Sequence, residues 1–320
     1  MLRGWRVGLL GLALAACAAT GSQVSPEDYR QAEVAAESGD WARAADLWNR
    51  IRLETYESSS RAHLETADAF VRLGKDDEAL ALLRRAGELF PNDAAVWLAQ
   101  GHLLEDMGFR RAAELDLVRA AELAPDDAEA LAALGRVRLA LGQAQPAYAS
   151  LQRAHELGWE CAELERQLAR CERALGKPAA AHDAYRRAID LEAAERGAPS
   201  AELLVEAASL HTDRRGDLSA CPLLGEALAW VDRAVELDPQ CARASFVRAG
   251  LLERGGEHEQ AIEVYRRTVE IDNLHLGALT NLALLHSNRG ERENAREMVV
   301  RAVALEDDAR RVRALRSLVE

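Results

Sequence analysis

Three arginines pose the first chemical question. Arg166, Arg170 and Arg173 fall at i, i+4 and i+7 and so stand on one face of a helix. Like charges at these spacings repel by roughly a few tenths of a kcal/mol per pair, and Glu163 is the acid most plainly placed to relieve them. An acidic peptide or a chain-terminal carboxylate would supply the missing anions, because a guanidinium grips a carboxylate with two parallel hydrogen bonds. The alternative is that Glu156 and Glu172, or water, neutralise them. A second constellation is His102, Glu105 and Asp106, brought to one helix face by i, i+3, i+4 spacing. It is the nearest approach to a metal-binding set, against the competing reading of a solvated helix face. No His-Glu-x-x-His occurs, and Cys161, Cys171, Cys221 and Cys241 form no C-x2-C. Cys221 and Cys241 flank a predicted helix about fifteen residues and roughly 20 Å long, which is too far for a bridge. Cys161 and Cys171 meet the same objection, so no disulfide is expected, and Cys171 reads as a small buried hydrophobe. The sequence contains no phosphate-cradling loop, no nucleophile elbow and no dinucleotide fingerprint. Nothing argues for an enzyme, a cofactor or a metal.

The elements that position these residues follow from composition. Of 320 residues, 40 are Lys or Arg and 53 Asp or Glu, a net charge of −13 that argues against a nucleic-acid partner. Hydrophobic residues reach 49% while aromatics are only 5%. Ala and Leu fill that gap, which favours helices and excludes a β-sandwich or barrel.

The amino terminus stands apart from the rest. Met1 to Arg6 carries Arg3 and Arg6, and Val7 to Ala16 is an apolar run too short to span a bilayer. The run ends in Leu14-Ala15-Ala16-Cys17, which resembles the lipobox of bacterial lipoproteins. That resemblance implies a signal peptide over residues 1–16, cleavage before Cys17 and thioether lipidation of Cys17 as the new N-terminus. Residues 17–24 then form a short tether. Ala18 after the cysteine is similar to the outer-membrane class, so the expected location is the periplasmic face of the outer membrane. The alternative is an ordinary signal peptide in which Cys17 is incidental. No later stretch is apolar enough to span a membrane.

A period of 34 residues organises the remainder. Gly74, Gly108, Gly142 and Gly176 are spaced by 34, as are Gly256 and Gly290, and an alanine follows each by five: Ala79, Ala113, Ala147, Ala181, Ala261 and Ala295. The best copy, residues 94–127, holds Trp97, Gly101, Leu104, Ala113, Leu117, Ala120 and Pro125. This pattern resembles the tetratricopeptide family. The resemblance implies an all-α, right-handed solenoid of about eight helix hairpins. Repeats 1–5 are expected over 25–195, with the first one residue out of phase at Gly39. A degenerate sixth repeat spans 196–241, with helices near 200–214 and 223–237 around an inserted loop at 214–222. Repeats 7 and 8 cover 242–309, and 310–320 reads as a capping helix. The insertion is either a tolerated loop, or a partner-binding excursion or hinge.

The family resemblance also implies a concave groove lined by the first helix of each repeat. At matching positions stand Leu98, His102, Glu105 and Asp106; Arg136 and Leu139; Glu163, Arg166, Arg170 and Arg173; Arg243, Phe246, Glu253 and Arg254; and Thr280, Leu284 and Asn288. Of these, His102, Arg136, Arg166, Arg170, Arg173, Arg243, Phe246 and Asn288 are the candidate peptide contacts. The Lys/Asn carboxylate clamp of the chaperone-binding branch is replaced by Arg, His and Leu. The function implied is a non-catalytic, membrane-anchored adaptor in the bacterial cell envelope that holds a partner peptide or helix, acidic by the arginine argument. Its rivals are a pilotin-like assembly factor and a cryptic enzyme using groove carboxylates and His102.

Overall fold

The computed structural model describes residues 24–55, 58–212 and 223–319. The signal segment 1–16, Cys17, the tether up to Gln23, Cys221 and the insertion at 214–222 lie outside the described residues.

Among the described residues the chain forms seventeen α-helices and no strand. Sixteen of them pair as hairpins: α1 Pro26–Glu37 with α2 Trp41–Glu54, α3 Ser60–Arg72 with α4 Asp76–Leu89, α5 Ala94–Asp106 with α6 Arg110–Leu123, α7 Ala128–Ala140 with α8 Ala144–Glu156, and α9 Ala162–Ala174 with α10 Pro178–Arg196. There follow α11 Ala201–Ser209 with α12 Leu223–Leu237, α13 Ala242–Arg254 with α14 His258–Ile271, α15 Leu276–Asn288 with α16 Arg292–Val303, and a terminal α17 Ala309–Arg316. The expected all-α array of helix hairpins with a terminal helix is therefore what the chain forms. Its packing divides into two units, one ending at Trp159 and the other beginning at Glu160.

Local chemistry sets these boundaries. Ser25, Ser59, Asp93, Asp127 and Ser200 cap the first helices of their hairpins by accepting backbone N–H groups, which otherwise lack partners. Cys161 and Cys241 take the same place, and their Sγ atoms accept from Leu164 N and Ala244 N, each at 3.4 Å. Between the helices of a hairpin the chain must turn through a left-handed residue. Gly108, at φ 84°, supplies it where a side chain would be strained.

The two helices of a hairpin approach closely. A Cβ on Gly101 would lie 2.6 Å from Leu117 Cγ, and one on Gly135 would lie 2.5 Å from Leu151 Cγ. The small position of the second helix and the large one four residues later are both fully inside, as Ala113 with Leu117 and Ala181 with Tyr185 show. Cys171 is buried like Ala69, Leu103 and Val137 at the same frame position, and burial raises its thiol to about 12.

The sixth hairpin departs from expectation in one respect. Its first helix stops at Ser209 rather than near 214, because Ser209 Oγ and Thr212 Oγ1 turn back onto Glu206 O and Ser209 O. The preceding α10 runs to Arg196 and ends on Gly197 at φ 81°. At the carboxyl end, Leu315 of α17 is buried and Ser287 Oγ donates to Leu318 O, so the expected capping helix covers the last hairpin.

Candidate functional site

In the first unit α5 packs against both α3 and α7. Between them opens a hollow of about 230 Å³. Its floor is aliphatic: Leu64, Ala67 and Val71 of α3, Ala95, Leu98, Ala99 and Leu103 of α5, and Leu83 of α4. Its rim is charged. Glu65, Asp68, Asp106, Asp127 and Glu129 face one base, Arg72. Arg72 lies 3.6 Å from Asp68, and Arg61 lies 3.8 Å from Glu65. Asp127 accepts from the first N–H groups of α7. Burial raises the carboxyls of Glu65, Asp68, Asp106 and Glu129 above their ordinary range. Neighbouring acids add to this at Asp106 through Glu105 and at Glu129 through Asp127.

Beside this rim the His102 constellation is organised around Arg136. The guanidinium straddles Glu105, with Nε 2.9 Å from Oε1 and Nη2 2.6 Å from Oε2. Nη2 also lies 3.2 Å from His102 Nδ1, and arginine can only donate, so Nδ1 accepts and the imidazole is neutral. Burial and the Arg136 charge lower His102 to about 4. The spacing that resembled a metal set thus holds an arginine. No cluster of metal-binding donors occurs among the described residues.

Two arginines of α9, Arg166 and Arg170, have found their anions within the second unit. Glu206 of α11 sits between them: Arg166 Nε donates to Oε2 at 2.7 Å, Arg170 Nη2 to the same oxygen at 2.8 Å, and Arg170 Nε to Oε1. Tyr185 Oη donates to Oε1 at 2.9 Å, and Glu202 takes the far side of Arg166 at 2.6 Å. Burial would raise the Glu206 carboxyl, but the hydrogen bonds from Arg170 and Arg166 outweigh it and hold the group down at about 2. Glu163, the expected counterion, lies 4.0 Å from Arg166. The expectation of anions missing from Arg166 and Arg170 is therefore corrected: the next hairpin supplies them. Arg173 is exposed.

The remaining candidates are dispersed. Arg243 and Asn288 are exposed, the latter as the last residue of α15. Phe246 packs its ring 4.6 Å from that of His275 and 5.7 Å from that of Tyr265, where a Cβ on Gly277 would meet it at 3.0 Å. It contributes to the core of its hairpins.

Two features were not anticipated from the sequence. Leu64, Asp68, Val71 and Arg72 occupy in the second repeat the groove positions read in the others, so the same frame carried one repeat back would have found most of the hollow. The second feature is a chain of three side chains, two buried histidines and a partly exposed acid, in which His182 Nε2 donates to Glu226 Oε2 at 3.0 Å and His211 Nε2 meets His182 Nδ1 at 2.8 Å. His182 stacks on Trp230 with centroids 4.6 Å apart. Burial, with His182 and Arg254 adding to it, lowers His211 to about 4. The network ties α10, the end of α11 and the start of α12.

Comparison with known proteins supports the fold. Tetratricopeptide-repeat family models match residues 60–103 and residues 224–274, one stretch in each unit. No curated protein matches the chain in sequence. Among solved structures, YrrB, described as a TPR protein with an unusual peptide-binding site, superposes with a TM-score of 0.53 at 22% identity, over 62% of this chain and 95% of that one. A chain of the APC/C hetero-tetramer Cut9–Hcn1 gives a TM-score of 0.55 at 13% identity, over 88% of this chain and 53% of that one. At these identities the likeness is one of fold.

Proposed function

We propose that this protein is a non-catalytic adaptor, anchored to a bacterial envelope membrane through lipid on Cys17, which holds a segment of a partner protein on the first-helix face of its tetratricopeptide repeats. The observation that carries the interaction role is the hollow over α3, α5 and α7. It is a cavity with an aliphatic floor and polar edges, built by repeats whose structural likeness includes a peptide-binding protein. No described helix is long and apolar enough to cross a membrane, so attachment in this reading rests on acyl chains. The lipobox resemblance at Leu14 to Cys17 supports that anchor, and the resemblance of Ala18 to the outer-membrane class supports the location. Delivery of a subunit to an outer-membrane complex is a special case of the same adaptor chemistry.

Cross-linking and capture from detergent-solubilised envelopes tests both halves. Wild type is expected in the membrane fraction with a partner enriched on it, and Cys17→Ser is expected to be released into the soluble fraction. Ala95→Arg, which fills the hollow from a half-buried position, is expected to remain membrane-bound and lose the partner. A partner retained by Ala95→Arg would remove the hollow from the reading, and a membrane-bound Cys17→Ser would remove the anchor.

A further inference from the structure

The charge of the hollow specifies what it takes. Five acids surround an aliphatic floor and one arginine stands among them, already close to Asp68. Arg61 lies 3.8 Å from Glu65 but gives its hydrogen bond to Glu33, and His102, 3.9 Å from Glu129, is neutral and serves as an acceptor to Arg136. Arg136 itself is committed to Glu105. The rim of this half-enclosed site therefore carries more negative charge than its own bases balance. A carboxylate-bearing peptide would add to that excess, and so would nucleic acid. A purely apolar segment would desolvate the rim without giving it a partner, which costs free energy. A bare cation would leave the aliphatic floor wet. Only an occupant with apolar side chains between cationic ones answers both features.

We infer that the hollow over α3, α5 and α7 recognises a protein segment in which aliphatic residues alternate with Lys or Arg, the aliphatic side chains seated on Leu64, Leu98 and Ala99 and the cations placed against Asp106 and Glu129. This rests on the adaptor reading above and reverses the partner charge expected from Arg166 and Arg170. Those arginines spend their donors on Glu202 and Glu206, whereas the carboxylate rim of α3, α5 and α7 keeps an excess of charge beside an aliphatic floor. Asp106 and Glu129 stand exposed at the edge of the hollow, open to a cation.

Fluorescence anisotropy on the full mature chain in detergent, with three labelled peptides of equal length, tests the assignment. One alternates Leu with Lys, one Leu with Glu and one Ser with Lys. The Leu/Lys peptide is expected to bind at least about tenfold more tightly than either other peptide, and to weaken as salt is added. In the near-isosteric pair Asp106→Asn with Glu129→Gln, its affinity is expected to fall about tenfold, while helicity and melting are retained because both positions are exposed. Preference for the Leu/Glu peptide would overturn the charge assignment and leave the adaptor reading standing. Leu/Lys binding indifferent to the double variant would overturn the location. Failure of all three peptides, with Ala95→Arg still capturing the partner from envelopes, would overturn the hollow as a site altogether.

Discussion

At the scale of single residues, the molecule turns on Glu206. Its carboxylate is nearly buried yet stays ionised, because three side chains of α9 and α10 converge on it with four hydrogen bonds. Neutralising Glu206 leaves Arg170 without its hydrogen-bonded counterion and Arg166 with Glu202 alone, which costs about 1–3 kcal/mol after allowance for the partial exposure of Arg170. Glu206→Gln is therefore expected to lower the denaturation midpoint strongly, whereas Glu163→Gln, at an exposed position, should change stability by less than about 0.5 kcal/mol. Urea titrations of the two variants check this, and equal effects would refute the counterion assignment. The sequence made the arginines legible but not their partner. Arg166, Arg170 and Arg173 share a face by spacing alone, and that could be read. Glu206 could not, because it lies in the hairpin where the 34-residue frame breaks down. His182, His211 and Glu226 escaped for a related reason, since they meet across three helices and share no periodic spacing.

At the scale of elements, what was legible and what was not have a common origin. The starts of α3, α5, α7 and α9, at 60, 94, 128 and 162, keep strict step, as do those of α4, α6, α8 and α10 at 76, 110, 144 and 178. Turn glycines, small-residue contacts and end-of-repeat prolines are local, so they announce each hairpin. The register between hairpins is not local. The extension of α10 to Arg196 delays α11 until Ala201, where the frame would have started a helix at 196, and this brings Glu202 and Glu206 opposite α9. The close helix approach within a hairpin gives a direct check. Gly101→Ala places a methyl 2.6 Å from Cγ of fully buried Leu117 and is expected to cost about 1–3 kcal/mol. Gly225→Ala in α12 meets nothing within 4 Å and should instead gain up to about 1 kcal/mol from helix propensity. Thermal melts of the pair should shift in opposite directions, and a neutral Gly101→Ala would show that the hairpin is looser than described.

At the scale of the whole molecule, protons act on the described groups with opposite signs. His102 and His211, each near 4 in the folded chain against 6.5 when free, take up protons more readily once unfolded. Their neutral forms therefore stabilise the fold fully above about pH 6.5, and that contribution drains away down to about pH 4, by up to roughly 3 kcal/mol for each. The rim acids Glu65, Asp68, Asp106 and Glu129 work the other way. Their raised values mean the folded chain binds protons first, so acidification relieves the cost that desolvation puts on their charged forms. Glu206 enters only lower, between its unfolded 4.5 and about 2. Urea titrations across this range should show stability falling below pH 6.5, with His211→Gln flattening its share of the slope; a flat wild-type profile would contradict both histidine assignments. The strict step of the hairpins has a consequence for how such a chain can change over time. Because α4 and α6 end alike and α5 and α7 begin alike, the stretch 94–127 can be lost or copied and still leave a join that its neighbours already know how to make. Length is thus inherited here in whole paragraphs rather than single letters, except at α10 and α11, where the broken step makes the text impossible to cut without rewriting what stands on either side.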